Sequence, residues 1–211
     1  MIPFSDLLIF IIAAFGLVIT PGPNMIYLIS RSITQGKKSG IISLLGVICG
    51  FLFHITMVAF GLTALLFAVP LAFTLLKISG ALYLLYMAYN AVKPGSNGIF
   101  ETRQDLEHDK PIKLFTMGFL TNVLNPKMAV FYLSLFPQFI NPKAGSITLQ
   151  CFQLGLTQMF ISFTVNFMIV VSAAKMAKWF ALNPMWVKAQ KWFMASILTG
   201  LAVKMALTKA K

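Results

Sequence analysis

Two side chains with ionisable nitrogens, His54 and Lys127, stand deep inside apolar sequence, and three asparagines, Asn24, Asn122 and Asn125, lie beside prolines in similar surroundings. An ammonium and a set of carboxamides are groups that bind a carboxylate and an amine, and an ionisable residue at membrane depth is a functional hypothesis by default. Lys127 has a second reading, because a long lysine also snorkels to an interface. His54 closes the pattern Gly46-x3-Gly50-x3-His54. Residues four apart share a helix face, and the glycines allow a second helix to come close. There the imidazole serves either as a proton carrier or as a hydrogen-bonded packing group. Catalysis lacks its parts: no carboxylate lies near His54 in sequence, Cys49 and Cys151 stand alone in apolar segments, and His108 belongs to a polar stretch. Neither a nucleophile–base pair nor a metal cluster is expected, nor any cofactor, so the chain reads as no enzyme. No G-x4-G-K-[ST] phosphate loop occurs.

The polar residues sit where helices ought to break. Thr20-Pro21-Gly22-Pro23-Asn24 puts two prolines and a glycine within an apolar run, and Asn122-Val123-Leu124-Asn125-Pro126-Lys127 repeats the device later. Proline removes an amide donor and clashes with the preceding turn. Asn125 as N-cap with Pro126 at the first helical position suits a helix start. Each run then becomes two half-helices. A single such break reads as a packed kink or as a site. Paired breaks point to a transport site, since irregular backbone at membrane depth is tolerated only inside protein or along a wet cavity.

The elements that must hold these groups are membrane helices. Of 211 residues, 58% are hydrophobic and 10% charged, with mean hydropathy +0.84 and a formal charge of +12. A soluble domain carries about a quarter charged residues. The basic residues occupy short gaps between long apolar runs, which suits membrane-flanking loops rather than a nucleic-acid partner. A span needs roughly 20 apolar residues. Residues 7–30, 39–76, 78–92, 114–140, 144–174 and 185–207 provide six helices, with a turn near Pro70. Residues 1–5 hold no Lys or Arg, so the first helix is expected to stay as a span rather than be cleaved.

An all-α membrane bundle of two three-helix repeats follows: residues 1–92 and 114–211, separated by a hydrophilic loop at 93–113 that holds every acid except Asp6. Three crossings per half make the halves inverted. A shift of 103 residues superposes Leu17 on Leu120, Pro23 on Pro126, Met25 on Met128 and Gln35 on Gln138. The connections after helices 1, 3 and 5 carry Arg31, Lys37, Lys38, Lys93, Arg103, Lys110, Lys113, Lys175, Lys178, Lys188 and Lys191. The other side carries Lys77, Lys143, Lys204, Lys209 and Lys211. Positive loops favour the cytoplasm, which puts both termini outside. Trp179, Trp186 and Trp192 flank a basic connection as interfacial anchors.

In order along the chain, Thr20-Pro21-Gly22-Pro23-Asn24, Gly46-x3-Gly50-x3-His54-x6-Gly61, Leu76-Lys77-x2-Gly80-Ala81-x-Tyr83-Leu84, Asn122-x2-Asn125-Pro126-Lys127 and Phe136-Pro137-Gln138-Phe139 resemble the lysine-exporter (LysE/RhtB-type) family, in its homoserine, threonine and leucine branch. The resemblance covers nearly the whole chain. It implies a six-helix transporter of the bacterial inner membrane that exports amino acids against protons, and it leaves a homo-oligomer open. Ala88 and Tyr132 depart from residues frequent in that family, glycine and phenylalanine.

The substrate expectation follows from charge. No Asp or Glu occurs from Leu7 to Val92, so a cationic side chain would lack a partner there. Relatives exporting basic amino acids tend to carry an acid in helix 2, where this chain has His54. A neutral amino acid is expected, held by Thr20, Pro21, Gly22, Pro23, Asn24, Asn122, Asn125, Pro126 and Lys127, with His54 as the candidate for proton coupling. The rival reading is a non-transporting membrane scaffold.

Overall fold

A computed structural model describes residues 2–68, 70–94 and 109–207. Glu101, Arg103, Asp105, Glu107 and His108 of the expected hydrophilic loop, and Lys209 and Lys211, lie outside the described residues. Among the described residues, eight α-helices run in order: α1 Phe4–Ile19, α2 Pro23–Thr34, α3 Gly36–Ala68, α4 Pro70–Val92, α5 Pro111–Val123, α6 Pro126–Val130, α7 Ile147–Leu182 and α8 Pro184–Leu207. Between α6 and α7 lie a π-helical turn, Phe131–Leu135, and two 3-10 turns, Phe136–Phe139 and Pro142–Ala144.

Proline sets much of this segmentation. Pro23, Pro70, Pro111, Pro126 and Pro184 each open a helix, the one position where a missing amide costs nothing and the fixed φ helps. The turn from α2 to α3 uses only Gln35, and Gly36 makes it with φ 85°, a left-handed backbone that disfavours a side chain. The eight helices fit the six expected runs once the breaks are counted, with α1–α2 as the first and α5–α6 as the fourth. Among the described residues, Gly36–Gly61 and Ile147–Trp179 are each long and apolar enough to cross a bilayer. The α1–α2 pair, bent by 51°, joins them if taken as one span. Ile78–Val92 is a shorter apolar helix.

The burial pattern is that of a protein whose solvent is lipid. Phe4, Ile12, Phe60, Leu82, Phe160 and Met168 point outward, each more than 60% exposed, while Asn24, Asn122, Asn125, Lys127, Gln150, Gln158 and Asn166 are buried. Water as solvent would favour the reverse. Helix α3 packs on α5 and α7, α7 on α1 and α2, and α4 on α8. The α3–α5 contact is closest because Gly46 faces the Phe115 carbonyl and Gly118 faces the Ser43 carbonyl, with no room for a Cβ on either glycine. Such backbone approach is how helices gain dispersion energy without a hydrophobic drive.

Basic residues gather at one end. Arg31 at the end of α2 pairs with Asp109 just before α5 at 2.6 Å, and Lys113 meets the other oxygen at 2.6 Å. Gln35 completes the cluster, receiving the Asp109 amide and donating to its carboxylate. Lys113 first, then Gln35, hold the Asp109 carboxyl below its ordinary value. Met176 and Ala177 of α7 pack with Ile29 and Ile33 at the same end. At the opposite end the Ile2 amide donates to Gln153, and Gln150 ties down Asn141. The end of α2, the start of α5 and the Met176–Ala177 part of α7 thus share one end of the bundle.

Candidate functional site

At the first break, the chain leaves helical geometry at Thr20 (ψ 123°) and runs extended through Gly22. In an unbroken helix the Leu17 carbonyl accepts from residue 21 and the Thr20 carbonyl from residue 24. Pro21 has no amide to give, and the extended turn moves Asn24 away. The Leu17 carbonyl takes the Thr20 amide at 3.2 Å, and both carbonyls accept from the Lys127 ammonium, which donates to Leu17 O at 3.0 Å and Thr20 O at 2.5 Å. A cation at this carbonyl end also complements the α1 macrodipole. Gly22 makes room, since a Cβ there would stand 3.2 Å from Lys127 Nζ and 3.3 Å from Cε.

At the second break, Asn125 caps α6 by accepting the Lys127 amide at 3.0 Å, and Pro126 takes the first helical position. The Asn122 carbonyl, four residues before this proline, is again orphaned. It accepts the Asn125 amide at 3.0 Å and His54 Nε2 at 3.2 Å. A carbonyl only accepts, so Nε2 carries the hydrogen. The His54 ring stacks on Tyr132 in the π-helical turn, with centroids 5.2 Å apart and planes 10° apart. Tyr132 in turn donates its hydroxyl to Gln158 Oε1 of α7 at 2.7 Å. A Cβ on Gly50 would meet the Asn122 side chain at 2.6 Å, so the glycine step above His54 lets α5 bring its break against α3.

Buried polar atoms normally find partners. Here Asn24 Oδ1, both polar atoms of the Asn122 side chain, Asn125 Nδ2 and Gln158 Nε2 have none. Asn122 and Gln158 are wholly inaccessible, and Asn125 nearly so. These groups line the two breaks and the helices against them, as a site for a small polar ligand would require.

The expected residues all lie at the breaks or against them. Pro21, Pro23 and Pro126 shape backbone, Gly22 clears space, and Asn24, Asn122, Asn125 and Lys127 supply polar groups. The Thr20 hydroxyl turns back onto the Gly16 carbonyl at 2.9 Å, so its contribution is its own carbonyl. Pro23 and Pro126, paired by the 103-residue shift, hold the same first position in α2 and α6. Lys127 differs from expectation in one respect. Sequence puts it beside a half-helix start, whereas its ammonium reaches the carbonyl end of another half-helix. Sequence reasoning also missed the Leu17 carbonyl and Gln158, and gave Tyr132 no role. A glutamine at the centre of an apolar stretch of α7 was the available signal for Gln158.

Broken helices with buried polar groups at the breaks, in an apolar helical shell, define a membrane translocator. The model of the LysE type translocator family matches residues 15–209, and the chain belongs to that family. Among similar proteins are the leucine efflux proteins of Salmonella choleraesuis (strain SC-B67) and Salmonella typhimurium (strain LT2), each 25% identical over 93% of this chain and 92% of the relative. No solved structure matches the chain.

Proposed function

We propose that this protein is a secondary active transporter of the inner membrane that exports neutral amino acids, leucine among them, by proton antiport. One observation carries the reading: Lys127, 5% exposed, bridges the two helix breaks amid asparagine groups that lack partners. The substrate carboxylate is received by Lys127, and its ammonium by the Leu17 and Thr20 carbonyls and the oxygens of Asn24 and Asn122. Among the described residues the acids are Asp6, about four turns from Thr20 along α1, and Asp109 at the basic end. A lysine or arginine side chain would find no carboxylate at the site, which supports a neutral side chain.

His54 is assigned the proton. It is the imidazole against the second break, and protonation would leave its bond to Asn122 intact while changing its charge against Tyr132. The reading includes six spans in two inverted three-helix repeats around the breaks. Its support is that packing pairs off under exchange of the halves: α3 on α5 matches α7 on α1–α2, while α3–α7 and α4–α8 map onto themselves. The basic end faces the cytoplasm, and both termini lie outside.

Counterflow with labelled leucine, threonine and lysine in proteoliposomes tests the substrate. Leucine or threonine is expected to accumulate and lysine to lag. Lysine moving faster than both overturns the neutral assignment, and no flux of any of them favours a scaffold.

A further inference from the structure

The acceptors that hold Lys127 are those an incoming amine would need. An ammonium carries three donors, and two of them are spent on carbonyls whose helical donors Pro21 and the extended turn have removed, Leu17 O keeping a second bond from the Thr20 amide. No carboxylate among the described residues neighbours it, so the lysine is held by dipoles alone. Four buried polar atoms nearby in the chain, on Asn24, Asn122 and Asn125, stay unpartnered in this arrangement. The site therefore holds a cation yet is incomplete in hydrogen bonds, the condition of a site occupied by a substitute.

We propose that the Lys127 ammonium is a tethered stand-in for the substrate's own ammonium, displaced from the Leu17 and Thr20 carbonyls when an amino acid binds and transferred to the substrate carboxylate. This rests on the amino-acid export reading and deepens it. The exchange conserves pairing. Before it, one cation sits on two carbonyls; after it, the substrate cation sits there and Lys127 is paired with an anion. A ligand must bring both charges. An amine without a carboxylate would evict Lys127 into a buried position with no counter-charge, and a buried unpaired charge is strongly disfavoured. Specificity for the whole zwitterion then comes from the protein's own lysine. The same arrangement lets the empty carrier reorient with its carbonyls satisfied. Gly22 and the four-methylene stem provide for the movement, because the three atoms nearest a Cβ on the glycine all belong to the Lys127 side chain.

The test compares leucine, isoamylamine and 4-methylpentanoate as competitors of labelled leucine on the purified protein. In the wild type, isoamylamine should compete about 100-fold more weakly than leucine, the scale of a lost charge-assisted bond. In Lys127→Met the carbonyls have lost their cation, so isoamylamine should gain on leucine until the two differ by about tenfold or less, as the same loss then burdens leucine. Gly22→Ala, whose Cβ crowds Lys127 without removing it, should move the ratio in the same direction and serves if Lys127→Met does not fold. Isoamylamine competing as well as leucine in the wild type overturns the proposal, as does an unchanged ratio in the folded variants. Absence of leucine binding to the wild type instead defeats the export reading itself.

Discussion

Lys127 Nζ lies 3.0 Å from the carbonyl oxygen of Leu17, joining residues 110 positions apart in sequence. That carbonyl is four residues before Pro21. His54 makes the corresponding contact at the other break, donating to the carbonyl four residues before Pro126. Each proline thus creates an acceptor, and each acceptor is taken by a side chain from a different part of the chain.

Restoring the amide at the second break should disturb this. In Pro126→Ala the new N–H competes with His54 for the Asn122 carbonyl and lets α5 run into α6. Leucine counterflow should fall about tenfold or more, a loss worth ~1.4 kcal/mol, while membrane insertion stays intact. Wild-type flux would show that the break has no part in transport.

His54→Ala separates coupling from binding. Export driven uphill by a pH gradient should drop far more than leucine–leucine exchange at equal pH. Parallel loss of both would identify His54 as a packing group beneath Asn122 and beside Tyr132.

The α3–α5 seam should tolerate no added methyl. Gly46→Ala pushes a Cβ against the Phe115 carbonyl, and overpacking of this sort costs about 1–3 kcal/mol. Thermal unfolding in detergent should shift downward for Gly46→Ala. Gly200→Ala, where a Cβ meets nothing within 4 Å, is the control and should not fall.

Acid should loosen the basic end. Because Lys113 and Gln35 depress the Asp109 pKa in the folded protein, its contribution is complete above the ordinary carboxylate range and is lost as pH falls through the lowered value. Asp109→Asn should be less stable than the wild type at neutral pH, with the gap closing as pH falls below the ordinary carboxylate range. A gap that persists at low pH would trace the effect to something other than the ionised carboxylate.

Orientation is open to labelling in a background of Cys49→Ala and Cys151→Ala. Cysteines at Phe4 and Leu207, both highly exposed, should react with an impermeant reagent from outside, and those at Lys37 and Lys113 should be protected. Protection of either terminal position would reverse the assignment of sides.

Local chemistry made much of this legible without coordinates. Proline spacing located both breaks and the cap at Asn125, because a missing amide acts within one turn. The Gly46–Gly50–His54 face followed from helical period alone, and uncharged run lengths marked the apolar segments. What a side chain across the bundle would meet was not legible. Nothing near Lys127 in sequence names Leu17 or Thr20, and nothing near His54 names the Asn122 carbonyl. Those partners are backbone atoms, identical at every residue in type and distinguished only by whether a helix break has removed their helical donor. Likewise Tyr132 and Gln158 look like ordinary span residues until the π-helical turn and α7 bring hydroxyl and amide together. Sequence determined where the helices would fail. Tertiary packing decided which distant groups would satisfy the polar atoms that failure exposed, because burial without water obliges every such atom to seek a partner wherever the fold supplies one.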